Sequence, residues 1–182
     1  MNILAINGSP RKKGNTEILL RTIMESVPGE GHSFDLISPS YMKISPCIAC
    51  DACKKGNHLC VLKDDMQSVY EKLDAADVII FGTPIYWFGP SAQIKTVIDR
   101  LRPYADNHKL TGKQALVVTP AADGPGDCEP AIEMFKRSFS YLNMKFTGSV
   151  PGTAYRKGEI LQDGEAMNAA RSLGQGLLSV SD

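Results

Sequence analysis

The sequence lacks several features that would assign it at once to a broad class. It has no excess charge, because twenty basic side chains balance twenty acidic ones, and this balance argues against a nucleic-acid surface. It has no apolar run as long as a membrane span. Its amino terminus leads directly into an apolar segment without a charged leader. We therefore expect a cytoplasmic protein with neither a nucleic-acid nor a membrane partner.

Histidine is scarce, and no internal repeat is present. The three histidines, His32, His58 and His108, share no metal-binding spacing. A chain of 182 residues with 43% apolar side chains is long enough for one well-packed core. We predict a single domain over residues 1–182, with a cysteine-rich insertion at about 44–62.

Short apolar runs alternate with segments of helical periodicity along the whole chain. The runs predict buried strands at 3–6, 34–37, 78–82, 115–118 and 146–150. The helical spacing covers 19–27, 66–73, 94–101, 132–142 and 167–177. We expect the fourth strand to break at Pro120. This alternation predicts a parallel sheet with helices on both faces, which binds ligands at the carboxyl ends of its strands.

The turn after the first strand, residues 7–16, is rich in glycine, hydroxyl and amide groups. It does not match a nucleotide P-loop, since five residues separate Gly8 from Gly14 and no lysine follows, and it lacks the three close glycines of a dinucleotide site. Asn15 or Thr16 is expected to cap the following helix. Backbone amides at such a helix start suit one phosphate monoester, as in flavin mononucleotide. The alternative is an ordinary strand-to-helix turn with a solvated basic tip.

Two more loops should reach the same edge of the sheet. Residues 84–90 place Tyr86, Trp87 and Phe88 in a turn bounded by prolines, where a flat ring could stack on them. The alternative is that these rings close the core or a subunit contact. Residues 119–126 carry mostly small side chains, so their backbone can approach a ligand, although a plain surface turn fits equally well.

Four of the five cysteines form one compact motif. Its spacing is Cys47-x2-Cys50-x2-Cys53-x6-Cys60. Three thiols at intervals of three favour a [4Fe–4S] cube, because zinc sites usually consist of two separated pairs. Zinc and empty thiols remain the alternatives. Cys128 lies outside the motif, and we interpret it as a spare thiol.

The sequence resembles the flavodoxin-like NADPH-dependent FMN reductases and, through its cysteine motif, the iron-sulfur flavoproteins among them. The residues that carry the resemblance are Gly8-Ser9-Pro10-Arg11, Gly14-Asn15-Thr16, Thr83-Pro84-Ile85-Tyr86-Trp87, Lys95 and Asp99-Arg100. The resemblance extends from residue 1 to about residue 150. It implies a doubly wound sheet of order 2-1-3-4-5, FMN at the sheet edge, and a homodimer or homotetramer.

The resemblance also implies the site residues. The phosphate would be held by Ser9, Arg11, Asn15 and Thr16. The flavin ring would be lined by Pro84, Ile85, Tyr86 and Trp87. Thr119 and Asp123 are further expected contacts, although Ala121 and Ala122 stand where the family has a pair of glycines. The metal ligands would be Cys47, Cys50, Cys53 and Cys60.

These observations predict an FMN-dependent oxidoreductase in which the flavin carries the chemistry and no side chain acts as acid or base. It would pass electrons between NAD(P)H or ferredoxin, FMN and a [4Fe–4S] cluster. One alternative is a cluster-free NAD(P)H-dependent FMN or quinone reductase. Another is a non-enzymatic electron carrier like a flavodoxin, and a third is a zinc-stabilised module without flavin.

Overall fold

The computed structural model describes residues 1–177, and a five-stranded parallel sheet lies at their centre. The strands are β1 (Asn2–Asn7), β2 (Ser33–Ile37), β3 (Val78–Gly82), β4 (Ile85–Tyr86), β5 (Gly89–Pro90), β6 (Gln114–Ala121) and β7 (Lys145–Thr153). The main sheet has the order β2-β1-β3-β6-β7, while β4 and β5 form a separate hairpin. Since β6 and β7 are the fourth and fifth strands of the main sheet, the predicted order 2-1-3-4-5 is confirmed.

Helices cover both faces of the sheet. They are α1 (Asn15–Glu25), α2 (Met66–Ala75), α3 (Ala92–Asp99), α4 (Tyr104–Asn107), α5 (Glu129–Tyr141) and α6 (Gly164–Gly176). Alternate residues of β1 point to opposite faces: Leu4 and Ile6 pack with α2, α3 and α5, whereas Ile3 and Ala5 pack with α1 and α6. Within residues 1–177, no helix combines the length and apolar character needed to cross a membrane.

The N-cap of the first helix lies one residue before the earlier of its two expected positions. Gly14 occupies the N-cap position, and Asn15 and Thr16 are the first helical residues, so the predicted capping role of these two side chains is wrong. The physical reason is that Asn15 uses its side chain for contacts with a distant loop. Val27, predicted on the helix face, lies beyond the helix end.

Pro120 does not end the fourth strand of the main sheet. β6 continues to Ala121, and Pro120 pairs with Gly152 of β7. The N–H of Thr83 donates to the carbonyl of Val118 at 3.0 Å, so Val118 faces β3, and Pro120 two residues later faces the same side. β3 ends at Gly82, so no residue of β3 lies opposite Pro120 to accept a hydrogen bond. The N–H that proline lacks therefore removes no bond from the sheet.

The segment 84–90 is a hairpin and not an irregular turn. Ile85 pairs with Pro90, and Tyr86 with Gly89, which leaves Trp87 and Phe88 as the two turn residues. Both have positive φ, 49° and 60°. These are the angles of a type I′ turn, whose right-handed twist matches the strands that it joins. This turn usually contains asparagine and glycine, which are absent here. The strands of the hairpin have only two residues each, so the sequence did not predict them.

Candidate functional site

The loop after β1 is pinned from two sides at the carboxyl edge of the sheet. The N–H of Gly8 donates to the carbonyl of Gly82 at 2.7 Å, and the Ser91 hydroxyl donates to the carbonyl of Gly8 at 2.7 Å. A Cβ at position 8 would lie 2.7 Å from Cβ of Ile94 and 2.9 Å from the Gly82 oxygen. Glycine is therefore required for the loop to pass this close to β3 and α3.

The start of α1 presents backbone amides that the helix itself does not use. Its first helical hydrogen bond runs from Ile18 N–H to the Gly14 carbonyl at 3.0 Å, so the N–H groups of residues 15–17 precede the ladder. Gly14 has no side chain to cap them. Together with the positive end of the helix dipole, these amides fit the phosphate end of FMN.

A cavity of about 160 Å³ opens in front of these amides. Its walls are Ser9, Arg11, Asn15, Thr16, Pro84, Ile85, Tyr86, Pro120, Ala122, Ala154 and Tyr155. The structure thus brings together seven of the residues proposed for cofactor binding, from two loops 68 positions apart. The cavity is smaller than the roughly 300–1,000 Å³ typical of ligand pockets. It can take a phosphate and part of a chain, while a flavin ring would lie at its mouth.

Three proposed contacts lie off the cavity wall. Trp87 stands at the hairpin tip with 95% of its surface exposed. Thr119 is fully buried within β6, and its carbonyl accepts the Cys128 thiol at 2.8 Å. Asp123 is exposed in the loop after β6. Their roles stay predictions, and of the three only Trp87 has a large free surface for a ring.

Sequence reasoning missed a fourth wall, the loop 154–160 after β7. The side chain of Asn15 donates to the carbonyl of Arg156 at 2.9 Å and accepts from Gly158 N–H at 2.8 Å. Arg11 donates to the carbonyl of Tyr155 at 3.1 Å. The available signal was topological, because the loop after the fifth parallel strand must reach the same edge as the other three.

A second cavity of about 710 Å³ adjoins the first, and Ala122 and Tyr155 line both. Among the described residues, its charged lining is wholly acidic: Glu159, Asp163 and Glu165. Two of these carboxylates already accept backbone N–H groups, from Tyr155 and Arg156 and from Thr153 and Ala166. The larger cavity is therefore unsuited to a phosphate, which favours the smaller one as the anchor.

The cysteine segment, residues 46–63, leaves the same edge of the sheet. The Tyr41 hydroxyl donates to the carbonyl of Pro10 at 2.7 Å, which joins the chain just before the segment to the loop after β1. Lys12 lies 4.8 Å above the Tyr41 ring. The chain that leads into the segment therefore lies beside the loop that leads into α1.

All four thiols of the segment are free and at least partly accessible. Burial raises the pKa of Cys53, and the nearby charges of Cys60 and Cys47 raise it further against the opposing effect of Arg102. Across residues 1–177, no three histidine, cysteine or acidic side chains converge on one point as metal ligands. In chemical type the donors fit an iron-sulfur cluster, and binding one would require the loop to close.

Residues 1–153 match the NADPH-dependent FMN reductase family. The chain belongs to this family. As an NADPH-dependent FMN reductase family member it is an FMN-dependent oxidoreductase, which confirms the predicted enzyme class, and FMN and NAD(P)H are the cofactor and co-substrate that the family uses. The suspected iron-sulfur flavoprotein relationship is confirmed as well.

Family members from other organisms are similar over nearly the whole chain. An iron-sulfur flavoprotein of Methanocaldococcus jannaschii is 32% identical and covers 99% of this chain and 97% of its own length. A Bacillus subtilis protein, named as an NAD(P)H-dependent FMN-containing oxidoreductase, is 34% identical over 95% of this chain and 96% of its own. An NAD(P)H:quinone oxidoreductase structure from Methanothermobacter marburgensis superposes with a TM-score of 0.76 at 17% identity, covering 97% and 96% of the two chains. That likeness shows the shared flavodoxin-like fold.

Proposed function

We propose that this reductase binds FMN with its phosphate at the start of α1 and its ring at the mouth of the 160 Å³ cavity. The observation that carries the proposal is the uncapped helix start, whose amides face a cavity walled by Ser9, Thr16 and Arg11. When bound, FMN supplies the hydride and single-electron chemistry. The chain's own residues anchor the tail and orient the ring.

Each anchoring side chain has a free group for the phosphate. The Ser9 oxygen accepts Arg11 N–H at 3.2 Å, which leaves the Ser9 hydroxyl hydrogen to donate. Thr16 is buried in the cavity wall, where its hydroxyl can donate to an oxyanion. Arg11 spends one N–H on Tyr155 and retains the others as charged donors.

The ring would lie against the exposed aromatic groups at the cavity mouth. Tyr86 and Tyr155 are wall residues with large exposed fractions, and Trp87 lies next to Tyr86 at the hairpin tip. Offset stacking on such faces holds a planar ring and excludes water from one side of it. This arrangement leaves the opposite face of the ring open to NAD(P)H.

We also propose that Cys47, Cys50, Cys53 and Cys60 hold a [4Fe–4S] cluster. The spacing of the thiols and the name of the M. jannaschii relative support it. In this form the protein would pass electrons from NAD(P)H or a ferredoxin through FMN to the cluster. We expect a homodimer or homotetramer as the working assembly.

A cluster-free NAD(P)H-dependent FMN or quinone reductase is the second candidate. It is favoured by the separation of the thiols within residues 1–177 and by the name of the B. subtilis relative. In this form electrons would leave the flavin for a small acceptor. A carrier without turnover is the remaining alternative.

The experiment is anaerobic purification followed by an absorption spectrum and assays of iron, sulfide and zinc per chain. The proposal expects flavin bands and a broad cluster absorption, with the cluster lost in Cys50→Ala and retained in Cys128→Ala. Flavin bands without iron would support the cluster-free reductase. Steady-state oxidation of NADPH with a quinone acceptor then separates an enzyme from a carrier, which would show almost none.

A further inference from the structure

Arg100, the residue that follows α3, is a charged side chain with only 1% of its surface exposed. Its guanidinium donates to both carboxylate oxygens of Asp64, at 2.9 and 3.1 Å. It also donates to the carbonyl of Ser45 at 2.8 Å. These two partners lie on opposite sides of the cysteine segment, so one side chain joins its two ends.

The two ends of the segment are also bonded directly to each other. The N–H of Ser45 donates to Asp64 at 2.9 Å, and the N–H of Lys43 donates to Asp65 at 2.7 Å. Burial by itself would raise the pKa of Asp64, but the hydrogen bonds from Arg100 and from the N–H groups of Ser45 and Met66 outweigh it and lower that pKa. The base of the loop is thus built on an ionised, fully bonded carboxylate.

The guanidinium of Arg100 is not fully paired. Its Nε is buried and has no hydrogen-bond partner among residues 1–177. A buried donor without a partner is unfavourable, and this N–H is available to a further acceptor. An unpaired N–H is more unfavourable on a charged group than on a neutral one.

Cys60 is the last thiol of the segment, four positions before Asp64. The Tyr70 hydroxyl donates to the carbonyl of Arg100 at 2.6 Å, and Tyr70 also interacts with the Cys60 side chain. Burial lowers the pKa of Arg100, but Asp64, Tyr70 and the charge of Cys60 together raise it. Cys60 thus belongs to the end of the segment that Arg100 holds through Asp64.

We propose that Arg100 is a positioning residue for the cysteine segment, whose guanidinium closes the base of the loop and whose Nε–H is the donor reserved for the sulfur of Cys60. A metal ligand must be a thiolate, and a charged N–H donor both orients and stabilises such a sulfur. Lysine would keep the positive charge. Its single ammonium group cannot make the two parallel hydrogen bonds to Asp64 and also place a third N–H where the guanidinium has one. The role toward a bound cluster rests on the proposed function, while the role in the loop does not.

The test on the iron-free protein is anaerobic alkylation with iodoacetamide, followed by mass spectrometry of each cysteine peptide. In the wild type, Cys47 and Cys50 are exposed, Cys53 and Cys60 are less accessible, and Cys128 is buried. With Arg100→Lys we expect Cys60 to be labelled about fivefold or more faster relative to Cys47, since an unlatched loop opens locally. Cys128 should stay protected.

The control is Arg137→Lys, on an exposed arginine that pairs with its helix neighbour Glu133. It should leave the ratio of Cys60 to Cys47 labelling unchanged. An unchanged ratio in Arg100→Lys, with Cys128 still protected, would overturn the proposal. Should Arg100→Lys fail to fold, Asp64→Asn keeps the shape of the partner and removes the charged fork to Arg100. The same ratio must then rise in Asp64→Asn, and a ratio equal to the wild type refutes the proposal.

The test on iron-loaded protein separates the proposed role of Arg100 from the proposed binding of a cluster. If the wild type takes up iron and sulfide, Arg100→Lys should lose iron to a chelator about 10–100-fold faster, the range seen when a group supporting a metal ligand is removed. Equal loss rates would overturn the donor role of Nε. If the wild type takes up no iron, the cluster proposal fails, and the alkylation ratio alone decides the role of Arg100.

Discussion

Asn15 holds Gly158, a residue 143 positions further along the chain, through a hydrogen bond of 2.8 Å between its Oδ1 and the Gly158 N–H. The same side chain donates to the Arg156 carbonyl. The first helical residue of the proposed phosphate site is therefore also the anchor of the loop that carries Tyr155. With FMN placed as proposed, phosphate binding and the position of this loop depend on the same amide.

Replacing Asn15 by alanine should loosen this wall. It leaves the Gly158 N–H and the Arg156 carbonyl without their partner, and we expect a loss of about 1–3 kcal/mol in the free energy of unfolding. FMN affinity should fall by about tenfold or more, because Tyr155 loses its support. Urea unfolding and fluorescence titration with FMN measure the two effects. Asn168→Ala, on α6, is the control, and unchanged values for both quantities in Asn15→Ala would contradict the linkage.

The hairpin tip exposes two aromatic side chains and lowers the folding stability of the protein through its backbone angles. Trp87 and Phe88 adopt left-handed backbone angles that cost non-glycine residues roughly 1–2 kcal/mol each. The double change Trp87→Asn with Phe88→Gly should raise the free energy of unfolding of the flavin-free protein by about 1–2 kcal/mol. It should also weaken FMN binding, since a stacking surface is lost. Tyr141→Ala removes an equally exposed aromatic group on α5 and serves as the control for FMN binding. A less stable double variant would show that the strain is absent.

Acid should weaken the base of the cysteine segment through Asp64. The folded pKa of Asp64 lies below its ordinary value of about 3.8, so its stabilising effect is complete above that value and is lost as the pH falls below it through the folded pKa. Urea unfolding at intervals from pH 5 to pH 2.5 should show this loss. Asp64→Asn should be destabilised by about 3–5 kcal/mol at pH 7, because Arg100 stays buried without its counter-charge. Its stability should decline less than that of the wild type over the acid range, and an equal decline would assign the effect to other carboxylates.

The parallel sheet could be predicted because its signal is local. Val78–Gly82 is apolar at nearly every position, as a strand buried on both faces must be, and its predicted bounds are those of β3. The predicted strand break at Pro120 was wrong, because the effect of a missing N–H depends on where the neighbouring strand ends. The hairpin escaped notice because two-residue strands carry no periodicity, and its turn residues are atypical.

The site residues also differ in whether a local signal or a long-range contact defines them. The loops after β1 and β3 were identifiable from their own chemistry, the resemblance supplied their site residues, and the cavity wall contains those residues except Trp87. The role of Asn15 toward Gly158 and that of Arg100 toward Ser45 depend on contacts over 143 and 55 positions, which single-sequence patterns do not encode. Tyr155 was missed for the same reason, since its loop has no motif of its own.

The central claim is that the start of α1 binds the phosphate of FMN, and calorimetry of FMN and riboflavin uptake tests it most directly. The wild type should bind one FMN per chain, and riboflavin, which lacks the phosphate, much more weakly. Ser9→Ala with Thr16→Ala should weaken FMN binding by about tenfold or more while leaving riboflavin binding unchanged. Thr22→Ala, which removes a hydroxyl bonded to the Ile18 carbonyl within α1, is the control. Folded wild-type protein that takes up no FMN, or that binds FMN and riboflavin equally, would contradict the account.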